Sequence, residues 1–426
     1  MGKEIKEFES KTPKKFSLWK KIREISCHPL ILGIDISDYS IEILQLDNQK
    51  NIKLYARAIL EKGIVEDAKI KKREKLGKIL EETFLKAGIN GLVKKWKVRI
   101  KGLFSLPESK TFIKVFEFEE RENLKEKIQE KIKETVPIPF EELYWDYYEL
   151  STNSEKPKVL AVAVPKEIVQ DYIHFFLSHQ IDPVVFDIEA GSIGRALLPP
   201  GEQINSTAIV DIGARTSVIN IFNPKKELSL SVTVYYAGNY FTQAIAKKLT
   251  ISEEEANKIK EEAGFEREPV SSILKECSLT LIKEIKDTLK YYQSRFGNRV
   301  EKIILAGGSA LLPGIKEYFQ KHFEEKVEIG QPLQNIQKTS PLFDSRKAIL
   351  FANVIGLALR GIEKNFIDAG INLLPEDLKK QVKILHRERE KFFRYIFIYF
   401  IAEVFILLII CYILFRLGIL KLKIPI

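Results

Sequence analysis

Twice in this chain an apolar strand runs straight into an aspartate, turns on small or polar residues, and resumes as an alternating strand. The first copy is LILGIDISDYSIEILQLDN over 30–48, with Asp35 at the strand end and Ser37-Asp38-Tyr39 in the turn. The second is TAIVDIGARTSVINIF over 207–222, where Asp211 is followed by Gly213-Ala214-Arg215-Thr216. A β-branched run followed by period-2 alternation predicts a hairpin each time. Two such hairpins suggest two related halves facing a shared cleft. Each turn has two readings. Glycine lets backbone N–H groups approach an anion, and a nearby aspartate can hold a hydrated Mg²⁺ against phosphate. The other reading is an ordinary hairpin with an Asp-Gly-type turn.

Length calls for more than one core: at 426 residues, two or three domains are expected. The formal charge of +10 raises nucleic acid as a partner. Lys and Arg alternate with Glu throughout, however, and no basic stripe interleaved with aromatics occurs, so an anionic membrane surface is the better partner and nucleic acid is not expected. Cys27, Cys277 and Cys411 lie far apart with no CxxC pair, which indicates neither a disulfide framework nor a zinc site and fits a reducing compartment.

Seven stretches follow from the patterning. Residues 1–29 form a basic extension without the apolar h-region of a signal peptide. Its Phe16, Leu18, Trp19, Ile22 and Ile25 recur at helical spacing, as in a helix lying on a membrane, a helix packed on its own domain, or a loose tail. Residues 30–97 hold the first lobe's opening hairpin and a Lys/Glu-patterned helical segment over 66–87. A small α+β insert is expected over 98–180, with strands at 98–106, 111–118, 143–150 and 159–164 and helices at 122–135 and 169–179. Pro137 and Pro139 end the first of those helices. Residues 181–365 complete the body. A buried strand at 184–186 leads to a helix beginning at Asp187, and beyond the second hairpin come a strand at 228–236, Gly238, and helices at 241–249, 253–262 and 271–296. A strand at 300–305 then feeds Ala306-Gly307-Gly308-Ser309, a turn opening a helix at Pro313 and suited to a nucleoside or phosphate. A helical stretch at 348–362 closes the body, before the segments 366–392, 393–416 and 417–426.

The Asp35 turn, the Asp211 turn and the Gly307-Gly308 turn, in that order, are the pattern of the actin-like ATPase superfamily. LPESKTFIKVFEF (106–118), ETVPIPFEELYWDYYEL (134–150), LAVAVPKEIVQDYI (160–173) and DIEAGSIGRAL (187–197) narrow it further. Over about 31–365 the chain resembles the PilM family of type IV pilus assembly proteins and, more distantly, the FtsA division proteins. The resemblance implies an α/β actin-like ATPase fold, two related lobes around a nucleotide cleft, with the insert an SHS2-type α+β subdomain. It implies ATP and Mg²⁺ as cofactors, with Asp35 and Asp211 facing the cation through water. Ser37 and Asp38 would form the first phosphate loop, and Gly213, Ala214 and Thr216 the second. Gly238, Lys260, Gly307, Gly308 and Ser309 would complete the nucleotide contacts. Glu189 stands where many members keep the carboxylate that orients the attacking water.

Three positions depart from the family pattern. Ser37 stands where glycine is usual, Glu42 where lysine is usual, and Asn257 where the AE..K helix usually has glutamate, although Lys260 is kept. A carboxylate facing phosphates repels them. Nucleotide binding with at most weak ATPase activity is therefore expected. The alternative is a pocket that holds the halves together without ATP.

The tail adds a partner and a membrane. Residues 370–380 read GINLLPEDLKK, and INLLP is similar to the N-terminal cytoplasmic segment of PilN, which docks into PilM proteins. Ile371, Leu373, Leu374 and Pro375 would fill an apolar groove and Asn372 would add hydrogen bonds, in self-association or with a neighbour. The bland reading is a linker with Pro375 at a helix start. Residues 395–415, YIFIYFIAEVFILLIICYILF, are apolar apart from Glu403, long enough for a core of about 30 Å. Lys379, Lys380, Lys383, Arg387, Arg389, Lys391 and Arg394 precede this span, while Arg416, Lys421 and Lys423 follow, which predicts a single-pass protein of the cytoplasmic membrane with its large domain in the cytoplasm. Glu403 is expected to be protonated or paired with another protein's helix.

Together these readings describe a membrane-tethered scaffold of the pilus assembly platform, with PilN- or PilO-like proteins and pilus motor ATPases as partners. Three alternatives stand beside it. A type II secretion platform subunit of the actin-like class would carry a periplasmic domain, whereas only about ten residues follow the span. An active assembly ATPase is disfavoured by Ser37 and Glu42. An FtsA-like protein would end in an amphipathic membrane-surface helix.

Overall fold

The computed structural model describes residues 30–89, 100–150, 156–201, 204–339 and 343–417. The helix-spaced apolar residues of the N-terminal extension, Cys27, the start of the strand expected from 98, and Lys421 and Lys423 lie outside the described residues. The chain divides between a body, Leu30–Pro375, and a second unit to which the C-terminal helix belongs.

The body opens with three strands, β1 (Leu30–Ile36), β2 (Ser40–Leu46) and β3 (Ile52–Ile59), then a short hairpin, β4 (Val65–Glu66) and β5 (Lys69–Ile70). Helix α1 (Arg73–Lys86) and β6 (Ile100–Leu106) follow. Next come β7 (Phe112–Glu117), α2 (Leu124–Thr135), β8 (Leu143–Glu149), β9 (Lys158–Pro165), α3 (Lys166–Ser178), β10 (Ile181–Ile188) and α4 (Glu189–Leu197). The second lobe holds β11 (Thr207–Ile212), β12 (Ser217–Phe222), β13 (Leu228–Val234), α5 (Gly238–Leu249), α6 (Glu253–Ala263) and α7 (Val270–Phe296). It ends with β14 (Lys302–Ala306), α8 (Ile315–Gln320) and β15 (Lys326–Ile329), and α9 (Ala352–Gly361) returns to the first lobe.

Two five-stranded sheets repeat one topology. The first runs β10-β6-β1-β2-β3 and the second, read the other way, β15-β14-β11-β12-β13. In both, an antiparallel meander of three strands meets two parallel strands at its first member. The central strands β1 and β11 are apolar almost throughout because each is flanked by strands on both sides and covered on both faces. Helix α7 buries Ile273, Leu274, Cys277, Leu281, Ile282, Ile285, Leu289 and Tyr292 against the second sheet, a spacing of three and four that presents one apolar stripe. Between the sheets, α9 packs against α4. A Cβ at Gly356 would lie 1.8 Å from the carbonyl oxygen of Ser192, so the two helices meet backbone to backbone only because this residue is glycine.

The insert is smaller than the expected 98–180. Strand β6 pairs with β1 and β10 in the first sheet, so the separate unit is the three-stranded sheet β7-β9-β8 with α2. Its own core gathers Phe118, Ile128, Ile132, Leu143 and Val159. Other expectations shift for local reasons. The helical segment placed from 66 begins at Arg73, because 65–70 form a tight hairpin whose turn residues Asp67 and Ala68 both adopt left-handed backbone. Asp187 lies in β10, not in the helix, and the Gly307-Gly308 turn leads first into a short 3-10 stretch, Gly308–Leu311, with α8 starting at Ile315. Strands β3 and β15, unassigned from the sequence, complete the two sheets.

Residues 366–375, grouped with the juxtamembrane helix in the sequence reading, belong to the body. Arg360, on α9, is fully buried. It donates to the carbonyls of Phe366 (2.8 Å), Ile367 (3.2 Å), Gly370 (3.3 Å) and Ile371 (2.7 Å), and pairs with Asp187 at 2.8 Å. Arg195 also pairs with Asp187, whose carboxyl these two guanidiniums hold below its ordinary range against the effect of burial. The chain so gathered runs along β10, an edge strand. Leu373 N–H donates to the Phe186 carbonyl (2.8 Å), and the Asn372 Oδ1 accepts from Phe186 N–H (3.1 Å), in the place of a backbone acceptor. Asn372 N–H donates to Asp146 Oδ2 at 2.8 Å, and Ile371, Leu373 and Leu374 are buried.

The second unit's described residues form one continuous helix, α10 (Glu376–Arg416), so the juxtamembrane and apolar stretches are not separate elements. Among the described residues it is the one helix long and apolar enough to cross a membrane.

Losing Arg360 leaves Asp187 with Arg195 alone and strips four carbonyls of their donor, and removal of a partner from a buried ion pair costs about 3–5 kcal/mol. Arg360→Ala should therefore lower unfolding stability by that order and open 366–374 to protease, as denaturant titration and limited proteolysis of the full chain in detergent would read. Stability within about 1 kcal/mol of wild type would refute this role.

Candidate functional site

The site follows from register. Asp35 and Asp211 are each the penultimate residue of a central strand, carried to the same end of its sheet by parallel neighbours, β6 and β14. The repeated topology makes them face one another across a cleft of about 570 Å³, within the usual size of a ligand pocket. The cleft is lined by Ser37, Asp38, Glu189, Gly213, Ala214, Thr216, Gly238, Lys260, Gly307, Gly308 and Ser309 as well, so it brings together the nucleotide-site residues expected from the sequence. Ile371–Pro375 lie elsewhere, on the β10 edge, and Glu403 lies on α10.

Close packing shapes the far wall. Gly307 has φ 79°, and a Cβ there would lie 2.3 Å from Asp211 Oδ1 and 2.5 Å from the Ile212 carbonyl oxygen. No other residue lets the β14 turn pass this close to the aspartate. Gly238 also lies close to the second turn, where its N–H donates to the Gly213 carbonyl at 3.0 Å. On α6, whose first turn is capped by Ser252, Lys260 is buried and donates to the Gly238 carbonyl (3.1 Å), Thr242 Oγ1 (2.7 Å) and Asn257 Oδ1 (2.9 Å). Asn257 thus fixes the lysine where a glutamate is usual in the family. Burial lowers the Lys260 ammonium to about 8.

The first turn is built differently. Ser37 Oγ accepts from the N–H of Ser40 (3.0 Å) and of Tyr39 (3.2 Å), so the hydroxyl takes two backbone donors of the loop for itself. Glu42 is buried, and its cross-strand partner on β3 is Arg57. The Arg57 Nε donates to Glu42 Oε1 at 2.5 Å and Nη2 to Ser40 Oγ at 3.3 Å. The carboxylate at 42 is consequently not a bare charge. The cation comes from the neighbouring strand.

Four residues escaped the sequence reading as site residues: Arg57, Glu108, Asn353 and Arg215. Asn353 on α9 hydrogen-bonds Asp35, donates to Ser105 Oγ (2.7 Å), and accepts from Ser192. Glu108, just past β6, accepts from the Ala190 N–H at the first turn of α4, and its carboxyl adds to the rise of Glu189. Each contact joins elements more than 80 residues apart, so no local pattern could announce it.

Burial governs the electrostatics. It raises Asp35 to about 6, against the hydrogen bond from Asn353 and the charge of Arg57. It raises Glu42 to about 7, Glu108 to about 7, and Glu189 well above its ordinary range, with Glu108 adding to the last. Asp211 is pushed up to about 7 by burial and then by the carboxyls of Glu189 and Asp35. Asp35 Oδ1 is buried without a hydrogen-bond partner. A hydrated divalent cation fits this donor set: hard oxygen ligands, an excess of acid, and an orphaned carboxylate oxygen. A phosphate fits the small-residue turn opposite it.

A carboxyl with a raised native value holds its proton in the folded state where the unfolded chain has lost it. Its burial therefore weakens the fold as pH rises from about 4 through about 7. Asp211→Asn removes that titration. Without divalent cation, the variant should gain stability over wild type across this window, by up to about 1.4 kcal/mol per pH unit. Thermal unfolding of both full chains at pH 5 to 8 checks it; a gap that does not change with pH refutes it.

Comparison with known proteins places this geometry. The family model described as type IV pilus assembly protein PilM matches residues 33–362. Among solved structures, the PilM–PilN type IV pilus biogenesis complex superposes with a TM-score of 0.69 at 19% identity, covering 78% of this chain and 98% of that one. The ethanolamine utilization protein EutJ from Carboxydothermus hydrogenoformans gives 0.51 at 15% identity, over 78% and 90%. Both likenesses establish the actin-like fold. The cell division protein FtsA of Buchnera aphidicola subsp. Baizongia pistaciae (strain Bp) is 26% identical over 213 residues, 43% of this chain and 50% of that protein. The chain spans about half the length of that curated relative. With both aspartate turns, the insert and the glycine turn inside the matched residues, the chain belongs to the family of the type IV pilus assembly protein PilM.

Proposed function

We propose that this chain is a membrane-tethered, actin-like scaffold of the type IV pilus inner-membrane platform, one that holds ATP with Mg²⁺ and turns it over slowly if at all. The observation that carries the nucleotide reading is the cleft, where two half-buried aspartates, a small-residue turn and a glycine turn converge. Mg²⁺ held here would supply positive charge against the acids and a phosphate chain. Asp35 and Asp211 would hold its water shell, and the 213–216 turn would meet the phosphates. Gly238, Lys260 and the 307–309 turn would face the nucleoside. Slow turnover follows from the residues themselves. Burial and the neighbouring Glu108 carboxyl raise Glu189 well above its ordinary range, which disfavours the charged form a general base needs. The Ser37 hydroxyl already takes two loop amides, and Arg57 is engaged by Glu42.

The scaffold reading rests on the tail. The solved PilM–PilN complex pairs its PilM with PilN. Carried to this chain, PilN- and PilO-like platform proteins are the membrane partners, and pilus motor ATPases the cytoplasmic ones. INLLP, read as a PilN-like segment, lies along this chain's own β10 edge in cis, held by one backbone hydrogen bond and the Asn372 side chain. The apolar stretch of α10 would span the cytoplasmic membrane once, with the basic residues before it and the body on the cytoplasmic side. Glu403, mid-span, would pair with a partner's helix.

Three measurements test this. Calorimetry and phosphate release on the detergent-solubilised full chain should give tight Mg–ATP binding with negligible release, and Asp211→Ala should abolish binding. Steady multiple turnover would overturn the scaffold reading, and unchanged affinity in Asp211→Ala would make the turn merely structural. Glu403→Leu should cut recovery of the membrane partners by pull-down several-fold, and unchanged recovery removes the helix–helix contact.

A further inference from the structure

Arg215 sits in the small-residue turn of the second lobe, between Ala214 and Thr216, yet its side chain leaves that lobe. Its Nε donates to Asp38 Oδ2 at 2.7 Å, and its Nη2 reaches Asp67 Oδ1 at 2.7 Å and Ser109 Oγ at 3.3 Å. Asp38 lies in the turn between β1 and β2, Asp67 in the β4–β5 turn, and Ser109 just past β6. One guanidinium therefore collects three segments of the first lobe. The segments are also tied to one another. The Asp67 N–H donates to Asp38 Oδ2 at 3.2 Å, and Lys110 pairs with Asp67. The hairpin tip that presents Asp67 holds left-handed backbone at two successive non-glycine residues, φ 53° and 63°, a conformation that persists where its surroundings enforce it. Arg215 and Asp38 both line the cleft, so this bridge crosses its mouth beside the two aspartate turns.

A guanidinium fork matches a carboxylate and a phosphate equally well, and a phosphate that carries two charges competes with either acid. We propose that Arg215 is a latch between the lobes that is exchanged for the terminal phosphate of a nucleoside triphosphate. With the cleft empty, Arg215 holds Asp38 and Asp67 and the first lobe is fastened to the second turn. A triphosphate lying between the turns draws the guanidinium onto its last phosphate and frees the β4–β5 tip. A diphosphate, which ends one phosphate short, leaves the latch closed. The exchange rests on the nucleotide reading proposed above; the latch does not.

The Asp67 amide, bonded to Asp38, is a direct reporter. Hydrogen exchange followed by mass spectrometry on the full chain in detergent would be read at peptides spanning 64–70, with β14 peptides reporting that the fold is intact. Without nucleotide, Arg215→Ala and Asp67→Asn should each speed exchange at 66–68 by about tenfold or more. Wild type should show the same rise with Mg–AMPPNP and none with Mg–ADP. Unchanged exchange in both variants overturns the latch. Calorimetry with Mg–AMPPNP on the same samples separates the remaining failures. Binding without faster exchange overturns the phosphate exchange, whereas no binding overturns the nucleotide reading and, with it, the exchange.

Discussion

Carboxyl groups buried between two like sheets set the terms for the rest of this structure. Asp35 and Asp211 are where they are because β1 and β11 are central strands with parallel neighbours, and the repeat of the sheets turns one placement into a facing pair. Helix α4 adds Glu189 at its first residue, and Glu108 arrives from the end of β6 to accept from that helix's backbone. Four acids in a desolvated cleft cannot all carry charge. Burial and Glu108 raise Glu189, Asp35 is partly relieved by Asn353 and Arg57, and Asp211 is pushed up by burial and then by the carboxyls of Glu189 and Asp35. The cleft is thus electrostatically incomplete, and the Mg²⁺ of the Mg–ATP proposed for it would supply the missing charge.

A second buried acid two residues before Glu189 shows what completion looks like. Asp187 is more deeply buried than Glu189, yet Arg195 and Arg360 meet it and hold its carboxyl below the ordinary range, whereas burial and Glu108 raise that of Glu189. The difference is the partner, not the burial. Through Arg360 this satisfied pair also gathers the carbonyls of 366–371 and lays the following residues along β10. Charge compensation is therefore complete for Asp187, where the chain must be fixed, and only partial for Asp35 and Asp211 at the cleft.

The two hairpins were legible because strand alternation and a strand-terminal aspartate are local signals, and the sheets place both copies alike. The glycine turn was legible for the same reason. Strand β3 was not: its pattern is diluted by Lys53 and Arg57, and only pairing with β2 explains the latter. The insert was drawn too wide because β6 looks like any short apolar strand until its parallel pairing with β1 is known. Ser37 and Glu42 stood out as departures from the family pattern, yet their consequences depend on partners that no spacing encodes. The serine closes its own turn, and the glutamate is answered from the adjacent strand.

That last pair marks where the repeat fails. In the first sheet Glu42 lies opposite Asp35 and Arg57 opposite Glu42; the equivalent positions in the second are Val218, opposite Asp211, and Thr233. The topology is duplicated and the charge is not. The first lobe has turned its cation inward, and its turn's amides are bound to its own hydroxyl, so it has little left to hold an anion. The second lobe keeps Gly213, Ala214 and a glycine-lined wall. An anion in this cleft would be anchored from one side. A lobe that contributes few ligand contacts must be held by protein contacts instead, and the body supplies them: the Gly356 crossing of α9 on α4, and Arg215 reaching over to Asp38 and Asp67.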